Sequence, residues 1–212
     1  MKELILNNKS GEASPLLLLI IFLPLLVLST SFSVNTTQSV TTYNINVQKA
    51  VEIAARAAAQ QVTEDSQASG TPRIHTANAH NVFRQELARN LGLNEPDLTP
   101  LAGSSIQQPD YVMVVYNVDD TFASTGAEQA RKYVFSSGSL SSSALYPAGN
   151  PTSFVVNDTN ITLGDVGAIT TTLEKPGVVA VVNADMQKAM GNDPVNMSRW
   201  ICLLYTSDAA DE

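Results

Sequence analysis

The chain has 212 residues, of which 44 % are hydrophobic, 15 % charged and 6 % aromatic, and it carries a formal net charge of −8. The acidic balance and the lack of a Lys/Arg cluster exclude the usual electrostatic footprint of a nucleic-acid binder. Phosphate-cradling loops of the G-x-x-x-x-G-K-[ST] or G-x-G-x-x-G kind are absent, so the sequence offers no nucleotide cofactor site and implies no other cofactor.

Residues 1–14 are short and polar, with Lys2, Lys9 and the amino terminus as the positive groups. The block Leu16–Leu28, LLLLIIFLPLLVL, then runs for thirteen residues without a charge or a hydrogen-bonding side chain, and STSFSV carries it to Val34. Nineteen such residues approach the roughly 20 that a helix needs to cross a bilayer at about 1.5 Å per residue. Residues 15–34 are therefore predicted to be a transmembrane signal anchor, with the lipid bilayer as partner. No Lys or Arg follows until Lys49, which predicts the amino terminus inside and the rest of the chain outside. The same block also fits a cleavable signal peptide, with Ser31-Phe32-Ser33 as a small-x-small site and cleavage after Ser33. Both readings export everything that follows.

Residues 35–72 are predicted to be an Ala-rich helix and a linker. Within Tyr43–Val62, the positions Val47, Val51, Ala54, Ala58 and Val62 recur at helical spacing, and six alanines favour the helix. Those five form a helix packing stripe of small residues that a partner surface can approach closely. If Asn35–Thr42 is helical too, one rod of about 70 Å runs from Pro15 to Val62. Thr63–Pro72, rich in turn-formers, ends it.

Residues 73–201 read as an exported α+β domain. A helix is expected over Thr76–Leu91, with Ala79, Val82, Phe83, Leu87 and Leu91 on its apolar face and Gly92 as its C-cap. LNEPDLTPLAGSS, which follows, reads as loop. Tyr111–Tyr116 reads as a buried strand, and Arg131–Phe135, Ser153–Val156, Val178–Val182 and Val195–Trp200 as further strands of a mainly antiparallel sheet. Ser136–Ser143, SSGSLSSS, reads as a flexible surface insertion.

Clusters with chemical potential are few. His75 and His80 lie five apart, about 140° apart on a helix, so they share no metal-binding face and are expected at the surface. Asn117, Asp119 and Asp120 offer oxygens to a calcium ion but lack the spacing of a known loop, and a strand-end turn is the expectation. Asn157–Asn160 reads as another turn. Glu52 and Arg56 form an i, i+4 pair. The Ser runs contain no G-x-S-x-G, and no catalytic or metal residue is assigned. Asn35, Asn157, Asn160 and Asn196 open glycosylation sequons, which chance explains in so Asn- and Thr-rich a chain.

The tail CLLYTSDAADE, residues 202–212, matches the translation of a transposon-end adapter used in sequencing libraries. On this reading the natural sequence is truncated near Ile201, Cys202 is an artefact, and the net charge without the tail is about −5.

One family shares the arrangement of the first quarter. Gly11, the apolar segment with an internal Pro (FLPLL, Phe22–Leu26), the helix VQKAVEIAARAAAQQ and an exported α+β domain resemble the TadE/TadG-like, pilin-related proteins of bacterial tight-adherence and type IV-like pilus systems. The resemblance covers roughly Ser10–Gln61. It implies a non-enzymatic, single-pass protein of the bacterial cell membrane, its C-terminal domain extracellular or periplasmic. Its implied partners are other pilin-like subunits or assembly proteins, and Gly11 is its processing position. Glu12 follows Gly11 directly, and Leu16 stands at the fifth position, where prepilin-like members carry Glu. Two other functions fit the residues. One is a secreted or anchored ligand-binding domain using the SSGSLSSS and LNEPDLTP loops. The other is an exported hydrolase whose site lies beyond Ile201.

Overall fold

The computed structural model describes residues 10–145, 153–156, 169–172, 175–187 and 193–205, with the side chains of 10–18, 36–41, 44, 153–156 and 169–172 excepted. The chain divides into two compact units, Met1–Thr41 and Thr42–Glu212.

Helix α1 spans Ser10–Ala59 and contributes to both units. In the second unit its Val47, Ala50, Val51, Ala54, Ala55 and Ala58 are at most 1 % exposed. These positions recur every three or four residues, so they fall on one side of the helix. The helix stops at Ala59, three residues before the expected end. Val62 therefore lies off the helix, half-buried, in an antiparallel bridge with Ile74. The expected turn 63–72 holds a short helix, α2 (Glu64–Ala68). Its anchor is Ser66, fully buried: the Arg73 N–H donates to Oγ at 2.9 Å, and Oγ donates to the Thr63 carbonyl at 2.9 Å.

Helix α3 occupies Thr76–Leu91, the bounds its sequence predicts. The reasons are local. His75 caps the start, its Nδ1 accepting the Asn78 N–H at 3.3 Å, and Gly92 closes the end in the left-handed conformation at φ 67°. Its buried face is Thr76, Ala79, His80, Phe83, Leu87, Ala88 and Leu91. Val82, expected on that face, is half-buried.

The main sheet has five strands: β1 (Asp110–Tyr116), β2 (Ala130–Ser136), β3 (Ser139–Ala144), β6 (Gly177–Met186) and β7 (Val195–Leu204). Their order is β3-β2-β1-β6-β7, and every neighbouring pair is antiparallel. A separate hairpin joins β4 (Ser153–Val156) to β5 (Ile169–Thr172). The architecture is thus α+β with an antiparallel sheet. Strand β1 is central and buried from Tyr111 to Tyr116. Because side chains alternate across the sheet, Tyr111 and Met113 face one way, with Tyr133 and Phe135 of β2. Helix α3 lies on that side, for Phe83 packs edge-on against Tyr111 at 5.4 Å between ring centres. The opposite face carries a second apolar cluster, Val112, Val114, Tyr116, Ala130, Val179 and Val181.

Two parts of the sheet differ from the expectation. Strand β3 lies in the segment read as a flexible insertion, although every one of its residues is exposed. A two-residue turn holds it to β2, with Ser137 at φ 50° and Gly138 at φ 78°, the positive pair that a tight hairpin requires. Strand β7 continues past Trp200 through Cys202–Leu204, which pair with Val179–Gly177. A ladder is made by the backbone, so three apolar residues extend it whatever their origin.

Candidate functional site

The apolar block of α1 holds most of the exposed large apolar side chains among the described residues. Every residue from Leu19 to Asn35 is exposed. Its eleven large apolar side chains, from Leu19 to Val34, stand between 53 and 64 % exposed on all sides of the helix. A helix apolar all round belongs in a protein core or in lipid. At about 1.5–3 kcal/mol per fully buried large apolar side chain, the unclaimed transfer energy is on the order of 10 kcal/mol. That rivals the whole net stability of a domain, roughly 5–15 kcal/mol. The few polar groups are handled locally: Thr30 Oγ1 donates to the carbonyls of Leu26 and Val27, at 3.0 Å each. Among the described residues no helix is long and apolar enough to cross a membrane; the side chains of Leu16–Leu18 lie outside them.

Both candidate processing positions, Gly11 and Ser33, fall inside α1. A peptidase needs the chain extended, so cleavage at either requires local unwinding of hydrogen-bonded helix. Of the stripe, Val47, Val51, Ala54 and Ala58 are buried within the second unit itself. The outward side of the same helix carries Ile45 and Ile53, 49 and 46 % exposed, and the Arg56–Glu52 ion pair at 2.9 Å.

One cluster escaped the sequence reading. His80, expected at the surface, is 3 % exposed. Its Nε2 lies 2.7 Å from the Tyr111 hydroxyl, and its ring stacks on Tyr133 at 4.1 Å and 7°. Burial, helped by the Arg84 charge, lowers its pKa to about 4. Burial likewise raises Tyr111 and Tyr133 above the ordinary tyrosine value. His80 is therefore neutral across the physiological range, and its Nε2 shares a hydrogen bond with the Tyr111 hydroxyl. The signal was present in the spacing: Thr76, Ala79, His80, Phe83 and Leu87 make one i, i+3, i+4, i+7, i+11 series. Position on a helix face outweighs the average preference of the residue type.

The other polar candidates are structural. Asn117, fully buried, accepts the Ile74 N–H at 2.7 Å and donates to the carbonyls of Ile74 at 2.7 Å and Glu128 at 2.8 Å. Asp119 forms a two-pronged pair with the Arg73 guanidinium, which holds its carboxyl below the usual range, and it also accepts the Thr121 N–H. These oxygens are committed to neighbours rather than turned toward a cation, and the described residues contain no group of three His, Cys, Asp or Glu able to hold a metal. Asn157–Asn160 lies outside the described residues.

The LNEPDLTP loop is tied down. Leu98 is fully buried, Asp97 Oδ1 accepts from the Thr99 N–H and from Asn94, and the Arg84 guanidinium donates to the carbonyls of Glu95 and Pro96. A recess of about 360 Å³ opens beside it, between Tyr43, Asn46, Leu91, Leu101 and Ser105, with no charged group in its lining.

Comparison of the chain with protein-family models, with curated proteins and with solved structures gives no match.

Proposed function

We propose that the chain is a non-enzymatic, membrane-anchored, pilin-like component of a bacterial pilus or adhesion apparatus, of the TadE/TadG-like kind that its first quarter resembles. The observation that carries this reading is the helix surface from Leu19 to Val34, apolar on every side and exposed throughout. In the sequence that block extends back to Leu16, a span of nineteen residues. Lipid, or a bundle of like helices, is the environment that removes its cost. The flanking Lys residues set the amino terminus inside and the α+β unit outside. The work of such a protein is association: the anchor holds it in the membrane or filament core, and the exported unit is presented outside.

Leu23→Arg/Leu26→Arg tests the reading. Each charge at mid-membrane costs roughly 2.5–3.5 kcal/mol on insertion scales. In the source bacterium, deleting the gene is expected to abolish surface piliation or adhesion. The whole chain is expected to restore it and the double Arg variant to fail. Normal piliation and adhesion in the deletion strain would overturn the assignment.

A further inference from the structure

We infer that the His80–Tyr111–Tyr133 cluster is an acid-sensitive clasp that fastens α3 to strands β1 and β2 and releases it when His80 gains a proton. The geometry gives the reason. His80 is buried, and its Nε2 shares a hydrogen bond with the Tyr111 hydroxyl 2.7 Å away. Its ring lies flat on Tyr133, so the one residue bonds to β1 and stacks on β2 at once. Tyr111 continues the contact, stacking on Phe135 at 5.4 Å and meeting Phe83 edge-on. A proton gained by the ring makes both its nitrogens donors and sets a positive charge in a buried, largely apolar place. The charged ring cannot accept from the Tyr111 hydroxyl, and its own charge has no anionic partner among the groups that face it.

The groups facing His80 do not favour a cation there. On α3, Arg84 stands one turn on and is itself positive; its guanidinium lies 5.6 Å from the Phe135 ring centre. On β1 and β2 the facing titratable groups are Tyr111 and Tyr133, both neutral. Tyr133 meets the Thr76 side chain and senses Arg131 and Glu128, which pair with each other at 2.7 Å. The loop after α3 presents backbone carbonyls to Arg84. The buried face of α1 offers only Val and Ala.

The sign follows from linkage. His80 binds its proton more weakly in the folded chain, near pH 4, than in the unfolded chain, near 6.5. Its contribution is complete above about pH 6.5 and is lost as pH falls toward 4. A buried histidine of this kind can change the folding equilibrium up to roughly 100-fold over that window.

The experiment is amide hydrogen exchange on the full chain in detergent micelles, at pH 7 and pH 4.5, after correction for the intrinsic pH dependence of exchange. The expected result is that protection of α3 falls at least several-fold more than that of β6. In His80→Phe the difference between the two elements should vanish. In His75→Asn, which keeps an N-cap at the only other histidine, it should persist. Equal loss across α3 and β6, or an unchanged pH response in His80→Phe, overturns the clasp. If His80→Phe does not fold, the imidazole titration of the unmodified chain by NMR decides. Loss of α3 protection that follows the protonation of the His80 ring supports the clasp; a ring titrating near 6.5, or α3 protection that does not follow its titration, refutes it.

Discussion

At the scale of single residues, the second unit depends on a few polar side chains that do several jobs each. Asn117 satisfies both backbone groups of Ile74 and a carbonyl of the segment leading to β2. Removing it leaves two buried groups of Ile74 and one half-buried carbonyl of Glu128 without this partner, the buried ones costing about 1–3 kcal/mol each when fully orphaned. With partial relaxation, Asn117→Ala should destabilise the second unit by about 2–4 kcal/mol in urea unfolding; a change under about 0.5 kcal/mol would contradict this account of the site. Gly126 matters for the opposite reason, because it has no side chain. Its φ is +93°, and a Cβ there would sit 2.5 Å from His75 Nε2. The ring would have to move and give up the Asn78 cap, so Gly126→Ala should cost about 2 kcal/mol from lost capping plus backbone strain. The Arg73–Asp119 pair acts at more acid pH than His80. The folded-state pKa of Asp119 lies below its ordinary value, so its contribution is present above about pH 4 and is lost as pH falls through the folded value. Both partners are partly solvated, which limits the pair to roughly 1 kcal/mol or less. Asp119→Asn should lower stability slightly at pH 7 and flatten the acid limb below pH 4, while leaving the pH 6.5 to 4 window intact.

At the scale of elements, what the sequence discloses depends on whether burial and pairing leave a pattern. Helix α3 was legible to the residue because a left-handed Gly92 and an i, i+3, i+4, i+7 apolar series mark its end and its face. Strand β1 was legible because YVMVVY is β-branched and aromatic almost throughout and both its faces are covered. Strand β3 was not: its residues are all exposed, it is mostly serine, and only its ladder to β2 defines it, so no hydrophobic alternation records it. Helix α2 was missed for a related reason. It is five residues long, and a buried serine hydroxyl holds it rather than an apolar face. The apolar surface of α1 was half legible. The apolar block and the stripe Val47, Val51, Ala54 and Ala58 stand out in the sequence, whereas the burial of that stripe against its own unit does not. A direct consequence concerns Ala54 and Ala58, each 0 % exposed. Leu at either site overpacks the helix seat at about 1–3 kcal/mol. Ala54→Leu and Ala58→Leu should therefore lower the unfolding midpoint of the second unit itself, while Ile53→Lys, on the outward side, should leave it within about 0.5 kcal/mol. Equal, negligible effects at all three positions would show that the stripe does not seat the helix.

At the scale of the whole molecule, the two units carry opposite surfaces. The second unit buries apolar side chains on both faces of an antiparallel sheet and exposes only scattered ones, Ile45, Ile53, Leu101 and Trp200 among them. The first unit leaves them open on all sides of a helix. The proposed function rests on that contrast, because a surface so costly in water points to lipid or to copies of the same helix. The most direct measurement is alkaline carbonate extraction of membranes from bacteria expressing the full chain, with amino-terminal sequencing of the recovered protein. The account predicts that the chain stays in the membrane pellet, yields only to detergent, and retains Leu16–Val34 whether or not it is trimmed at Gly11. Recovery in the carbonate supernatant, or a mature protein beginning at Val34, would contradict it.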